Sequence, residues 1–413
     1  MANFIVKGGK YLEGEIEVGG SKNAALPAMA ASLLFKNEAG FRNLPKIEDI
    51  FRMGELLEKL RETKEIDFEV AKKIRASILL VGPALARFGK ITFPHPGGCV
   101  IGARPIDAFL DGWKAMGAVV KEIPPDSSKS INSIPFYELS APSGLKGRDY
   151  TFRVPSVTGT EGLMMTAVLA SGSTILRNAA MEPEIAHLAY FLNKNGADIK
   201  GAGTHTINIE GSGGALLEGK YSFSAPPDRI EAGSFLILGA LLAKELLIKN
   251  FAAEELTALT GALKEAGAEF NFDKNFISVK RSPALKAVNV KTKEYPGFAT
   301  DLQAPFCVLA TQAKGASMIH ETIFEGRLSY IEYLNKMGAK ITLCDPYRAI
   351  VNGPTPLRAW TLESPDIRAG LAFILAALLA EGESKIGNIY QIDRGYEAID
   401  SRLRSIGAEI KRV

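Results

Sequence analysis

A cysteine stands in the middle of PHPGGCVIGARPID, residues 94–107, a stretch with three glycines and three prolines. That composition makes a loop rather than a strand or helix. Cys99 lies between Gly98 and Val100, with Arg104 five residues on. Structural cysteines sit in apolar periodic segments, as Cys307 does in APFCVLA. A flexible, cation-flanked loop instead stabilises a thiolate and leaves it accessible. Composition alone leaves two readings: a reactive thiol, or a cysteine placed there by chance.

A second segment, GGSKNAALPAMAASLL at 19–34, runs from a glycine pair and Ser21 into an Ala-rich helix. Helix N-termini present unpaired N–H groups and a partial positive charge, so Lys22, with Asn23 beside it, is placed to meet a phosphate or carboxylate. A capped helix with a solvated lysine is the plainer reading. The spacing is neither GxxxxGK[ST] nor GxGxxG after a strand. Isolated arginines complete the set: Arg75 in KKIRASILL, Arg327 in FEGRLSYI, Arg368 in SPDIRAGLAF and Arg394 in QIDRGYEAID. Any one surface arginine is commonplace. Arg368 differs, because it heads a nearly uncharged helix where a solvated role is awkward. Asp301 in GFATDLQAPF is a lone carboxylate before an apolar run, either a helix N-terminal carboxylate or a buried base. Four histidines are scattered without a Ser/His/Asp pattern, and no CxxC or HxxxH spacing offers a metal site.

These residues are carried by a repeated element. A helical stretch, then Gly-Ala, then a short alternating strand recurs in FLDGWKAMGAVVKE, YFLNKNGADIKG, ALKEAGAEFNF, YLNKMGAKITL and RLRSIGAEIKR. The glycines are Gly117, Gly196, Gly267, Gly338 and Gly407, at separations of 79, 71, 71 and 69. A sixth unit is expected near 47–60, where MGELLEKLRETKEIDFEV has the helix but neither Gly-Ala nor a clean strand. Units of about 70 residues exceed a solenoid repeat and predict six small α/β subdomains, three per lobe. The Pro-rich joint Pro226-Pro227-Asp228-Arg229 divides the lobes. The expected lobes are 20–228, carrying the loop 94–107, and 1–19 plus 229–413, with the active site in the cleft between them.

The 413 residues are 46% apolar and 23% charged, an ordinary globular composition, and the length suits two or three domains. A net charge of +3 gives no basic field for nucleic acid. The most apolar run, Ala369 to Ala380, is far shorter than the ~20 residues a bilayer needs, and the N-terminus has no signal pattern. Three cysteines argue against a disulfide framework and for a reducing cytoplasm.

The phrases GSKNAALPA, RASILLVGP, PGGCVIGARPID, PDRIEAGSF, ATDLQA, PDIRAG and DRGYEAID, in this order, resemble the UDP-N-acetylglucosamine 1-carboxyvinyltransferases, a family of enolpyruvyl transferases related to 5-enolpyruvylshikimate-3-phosphate synthase. The resemblance covers nearly the whole chain. It implies a two-lobed, inside-out α/β barrel, each lobe of three βαβαββ repeats, the first shortened. It further implies a cytoplasmic enzyme of cell-wall synthesis that uses phosphoenolpyruvate and UDP-N-acetylglucosamine, with no cofactor, metal or obligate protein partner.

Matched position by position, Cys99 is similar to the family's lid cysteine and proton donor. Lys22, Asn23, Arg104, Arg368 and Arg394 correspond to phosphoenolpyruvate contacts, and Asp301 to the general base at the sugar 3′-hydroxyl. Asn23, Arg75, Arg104, Pro105, Asp107, Ser156, Val157, Asp301 and Ile323 correspond to UDP-sugar contacts. Arg327 and Asp366 fall at further active-site positions. Between Leu60 and Arg75 the chain is shorter than the family pattern, which predicts the loss of one strand pair. Ala108, Val154, Thr158 and the insert 124–144 also depart from that pattern, on the nucleotide side. The rival readings are an enolpyruvyl transferase for another acceptor such as shikimate 3-phosphate, and an inactive UDP-sugar-binding paralogue.

Overall fold

The computed structural model describes residues 2–97, 101–124 and 135–413. The chain forms two compact units: Gly20–Gly98 with Pro105–Pro226, and Met1–Gly19 with Cys99–Arg104 and Pro227–Val413.

The unit that contains both ends of the chain is built from three copies of one motif. Each copy has a short edge strand, a buried helix, a strand parallel to the first, a second helix on the surface, and an antiparallel strand pair. In the first copy these are Leu12–Glu17, helix Arg229–Leu242, Ala243–Lys249, helix Thr257–Glu265, Glu269–Phe272 and Phe276–Lys280. The second runs from Val290–Lys291 through helix Gln303–Gln312 to Arg348–Gly353. The third runs from Thr361–Glu363 through helix Ile367–Leu379, Glu383–Gly387 and helix Ile399–Ser405 to Glu409–Arg412. Its fourth strand comes from the other end of the chain: Phe4–Lys7 lies antiparallel between Glu383–Gly387 and Glu409–Arg412.

The first helix of each copy is the one that matters for chemistry. Helix Ile367–Leu379 is buried at every residue from Ile367 to Leu378. A helix apolar on all sides must lie inside its domain, and helices Arg229–Leu242, Gln303–Gln312 and Ile367–Leu379 pack against one another at the centre of the unit. Their Leu, Ile and Phe side chains each contribute about 1.5–3 kcal/mol by leaving water. Asp366 starts the last of them, its Oδ1 accepting from the amides of Arg368 at 2.7 Å and Ala369 at 3.1 Å. The helix ends at Ala380, which is extended. There Gly8 passes so close that a Cβ on it would sit 2.1 Å from the Ala380 carbonyl oxygen, so a side chain at position 8 would force the first strand off the helix end.

The other unit repeats the motif with losses. Helices Lys22–Ala31, Val81–Phe88 and Val157–Val168 form its interior. One sheet is complete, in the order Asp149–Thr151, Ser171–Arg177, Thr206–Ser212, Asp198–Lys200. A second has three strands, Lys90–Pro94, Phe136–Ser140 and Val119–Ile123. The third has, among the described residues, Phe223–Ser224 beside Phe41–Arg42. Among the described residues this sheet lacks the antiparallel strand pair, the loss that the short 60–75 segment predicts. Helix Glu48–Thr63 ends with Lys64 in the left-handed region at φ 58°, where the other five units have glycine: φ is 95° at Gly117, 103° at Gly196, 81° at Gly267, 101° at Gly338 and 98° at Gly407. In place of strands the chain makes helix Phe68–Ala71, capped by Asp67, and the 3₁₀ turns Arg75–Leu80.

Candidate active site

In the unit that contains both chain ends, the buried helices bring their first turns together around one carboxylate. Asp301 lies in the 3₁₀ turn Thr300–Leu302 that leads into helix Gln303–Gln312. Its Oδ1 accepts from Nη1 and Nη2 of Arg327, each at 2.9 Å. Its Oδ2 accepts from Arg368 Nε at 3.0 Å and lies 2.8 Å from Arg368 Nη2. The two guanidiniums are 6% and 5% exposed, the carboxylate 23%. Two fixed cations therefore flank a carboxylate that remains partly exposed. Paired in this way the buried charges are tolerable, whereas removal of one partner would strand the others.

Arg368 sits in the second position of its helix. Burial by itself would lower its pKa, but the charge of Asp301 first, then Tyr396 and Asp228, outweighs burial and holds the guanidinium well above its ordinary value. It stays charged at every working pH. Its Nη1 donates to the Tyr396 hydroxyl at 3.0 Å, and burial raises the Tyr396 pKa, so that phenol stays protonated. Asp228 caps helix Arg229–Leu242 by accepting from the amides of Ile230 and Glu231. Arg327 donates a further bond to Thr300 Oγ1 at 3.0 Å, and its guanidinium lies 5.3 Å from the Phe324 ring centroid.

Three more expected residues fall in this unit. Arg394 is buried, and its Nη1 donates to Gln391 Oε1 at 2.9 Å. Ile323 is half-buried, and its amide donates to Glu321. Asp366 is a helix cap, bonded to the backbone of Arg368 rather than to its side chain. Cys99 lies outside the described residues. The segment after it belongs to this unit: the Gly326 amide donates to the Ile101 carbonyl, the Ala103 amide donates to Glu325 at 2.8 Å, and Arg104 lies over the Phe324 ring. A Cβ on Gly102 would lie 2.5 Å from the Glu325 carboxylate.

The second group of expected residues lies in the other unit. Ser21 caps helix Lys22–Ala31, its Oγ accepting from the Ala24 amide. Lys22 begins that helix with its Nζ 3.2 Å from Asp49 Oδ2, both side chains buried, so it is not a solvated lysine. Asn23 follows, half-buried. Arg75 Nη1 donates to the Pro96 carbonyl at 3.2 Å, at the root of the cysteine loop. Gly97 beside it has no room for a side chain, because a Cβ would fall 1.6 Å from the Lys72 carbonyl oxygen. Burial, then Arg75, lowers the pKa of His95 at the same place. Ser156 caps helix Val157–Val168, whose first residue Val157 is half-buried. Pro105 and Asp107 are exposed, Asp107 as the first residue of helix Asp107–Ala115. Of the departures, Ala108 and Thr158 are half-buried and Val154 is exposed, and residues 125–134 of the insert lie outside the described residues.

A family profile named EPSP synthase (3-phosphoshikimate 1-carboxyvinyltransferase) matches residues 6–403. The chain is 42% identical over its full length to the UDP-N-acetylglucosamine 1-carboxyvinyltransferase of Trichlorobacter lovleyi, covering 99% of that protein. The enzyme of the same name from Wolinella succinogenes is 41% identical over 98% of each chain. The chain belongs to the UDP-N-acetylglucosamine 1-carboxyvinyltransferases, within the EPSP synthase family. Its fold is that of the enolpyruvyl transferase NikO from Streptomyces tendae, at a TM-score of 0.88 and 21% identity over 100% of this chain and 99% of that one. The EPSP synthase of Acinetobacter baumannii shares the fold at a TM-score of 0.72 and 18% identity, over all of both chains.

Residues that the sequence patterns did not single out stand beside those that they did. Asp49 pairs with Lys22, Tyr396 with Arg368, and Thr300 with Arg327. Two of them had a local signal: Tyr396, two residues after Arg394 in DRGYEAID, and Thr300, directly before Asp301 in ATDLQA.

Proposed function

We propose that this chain transfers the enolpyruvyl group of phosphoenolpyruvate to the 3′-hydroxyl of UDP-N-acetylglucosamine and releases phosphate, the first committed step of peptidoglycan synthesis. The observation that carries this reading is the Asp301 carboxylate, held through both oxygens by buried guanidiniums and still 23% exposed. Such a group is fixed in orientation, stays beside permanent positive charge, and can take a proton from a hydroxyl. The acceptor follows from the full-length relatives and their name. A shikimate 3-phosphate acceptor is less favoured, since the EPSP synthase likeness is at 18% identity.

In this reading the reaction is addition and then elimination. The methylene carbon of phosphoenolpyruvate gains a proton, for which Cys99 is the donor. The sugar oxygen bonds to the adjacent carbon while Asp301 takes the hydroxyl proton. The tetrahedral adduct then loses phosphate and a methyl proton to restore the double bond. Lys22, Arg368 and Arg394 hold the phosphate and carboxylate of phosphoenolpyruvate with charge-assisted bonds, and Arg104 contributes to both substrates. Asn23, Arg75, Pro105, Asp107, Ser156, Val157 and Ile323 hold the UDP-sugar, with Ser156 and Val157 offering a helix N-terminus to the diphosphate. The test is phosphate release from phosphoenolpyruvate with UDP-N-acetylglucosamine, against shikimate 3-phosphate at equal concentration. Release with the UDP-sugar alone supports the reading, and release with shikimate 3-phosphate alone overturns it.

A further inference from the structure

Glu321 is fully buried, with no exposed surface, and is absent from every role assigned above. Four donors converge on its carboxylate. Oε1 accepts from the amides of Ile323 at 2.8 Å and Phe324 at 3.2 Å and from Thr292 Oγ1 at 3.0 Å. Oε2 accepts from Thr300 Oγ1 at 2.8 Å.

The direction of these bonds is fixed by chemistry. A guanidinium only donates, so the Thr300 oxygen accepts from Arg327 Nη1 and its single proton points to Glu321. The same holds on the other side. Thr292 Oγ1 accepts from the Thr322 amide at 2.8 Å, which commits its proton to Glu321 as well. Glu321 therefore terminates a one-way chain, Arg327 to Thr300 to Glu321. The Arg327 nitrogen that bonds Thr300 also holds Asp301 Oδ1. Through its other oxygen the carboxylate ties down the amides of Ile323 and Phe324, and the Phe324 ring faces the guanidiniums of both Arg327 and Arg104.

We propose that Glu321 is a positioning residue for the transfer: it locks the Thr300 hydroxyl, and with it the Arg327 guanidinium, so that Asp301 is held in the orientation that meets the sugar hydroxyl. The inference rests on the reading of Asp301 as the base. A buried carboxylate whose purpose was only to join strands would have no need of the Thr300 arm, since Thr292 and two amides already secure it.

The test compares Glu321→Gln, Thr300→Val, Thr300→Ser and Thr292→Val in the full chain, following phosphate release with both substrates and thermal unfolding. The expected result is a fall in kcat of about tenfold or more in Glu321→Gln and Thr300→Val, as for the loss of a charge-assisted bond, with KM for both substrates within about twofold. Thr300→Ser, which keeps the hydroxyl, recovers most of the loss. Thr292→Val lowers the melting temperature more than kcat. Wild-type kcat in folded Glu321→Gln, or equal kcat losses in Thr292→Val and Thr300→Val, would overturn the proposal. Should Glu321→Gln fail to fold, the Thr300 pair decides. Should the wild type not turn over these substrates, the functional reading has failed instead, and a crystal structure of Thr300→Val judges the locking: an Arg327 guanidinium displaced from Asp301 supports it, an unmoved one refutes it.

Discussion

The Lys22 ammonium lies 3.2 Å from the Asp49 carboxylate, and neither side chain is more than 10% exposed. A cation proposed to meet phosphoenolpyruvate is thus already held by a buried anion. Lys22→Ala would have two separable effects: it removes a ligand contact, and it takes the Lys22 ammonium from the buried Asp49 carboxylate, at a cost of up to about 3–5 kcal/mol in stability. Lys22→Ala with Asp49→Ala is expected to regain most of the stability and none of the phosphoenolpyruvate binding.

Arg394→Ala and Lys22→Ala each should weaken phosphoenolpyruvate binding by about 1.5–3 kcal/mol, the worth of a charge-assisted bond. UDP-sugar binding stays nearly intact in both. Calorimetry with each ligand separately checks this division, and equal losses for the UDP-sugar would refute it.

Asp301→Asn keeps the shape of the side chain and removes its charge. Phosphate release is expected to fall by about 100-fold or more, the usual scale for loss of a positioned base, while the UDP-sugar still binds. A variant that turns over at the wild-type rate would remove Asp301 from the proton-transfer step.

An epoxide phosphonate such as fosfomycin is expected to alkylate Cys99. Burial pushes the Cys307 thiol up to about 12, so almost no thiolate exists there at neutral pH. Cys344 is exposed and serves as the internal control, open to generic thiol reagents. Mass spectrometry of treated protein would locate the adduct, and its appearance on Cys344 instead would defeat the assignment.

Glu161, fully buried, has its pKa raised well above 4.5 by burial and then by the charges of Glu184 and Glu182. Its Oε1 has no hydrogen-bond partner in the structure. The folded form then keeps a proton that the unfolded chain releases above its ordinary carboxyl value. This contribution to stability is complete below about pH 4.5 and is lost as pH rises toward the folded value, at about 1.4 kcal/mol per pH unit for one proton. Glu161→Gln is expected to unfold at a higher temperature than the wild type at pH 8, with a smaller difference at pH 5. An identical pH dependence in the two proteins would show that Glu161 ionises freely in the fold.

The repeat was legible because one local event recurs: a helix that must stop, a residue that must adopt positive φ, and a strand that must start. Glycine announces that event at five places, and Lys64 performs it silently at the sixth. The Asp301 cluster was legible only as separate residues. Arg327 and Arg368 stand out as charges in mild segments, but the bonds that join them to Asp301 span 26 and 67 residues, and no local spacing encodes such distances. Asp49 and Glu321 were missed for a related reason: a carboxylate in a charged helix or a strand end looks solvated until packing buries it. Asp366 shows the reverse. An Asp directly before an apolar helix is a capping signal in its own right, and the cap is the role that its Oδ1 performs.

The strand Phe4–Lys7 occupies an interior place in its sheet, between Glu383–Gly387 and Glu409–Arg412. During synthesis this segment leaves the ribosome well before either of its neighbours. At about 5–20 residues per second, the gap is on the order of tens of seconds, during which two apolar positions, Phe4 and Val6, have no sheet to enter. All the residues between Gly20 and Pro226, save the few of the loop, belong to the other unit and have their partners at hand well before then. The unit that holds Asp301, Arg327 and Arg368 is thus completed after the other, and a nascent chain cannot close its third sheet until Phe4–Lys7 has been recaptured.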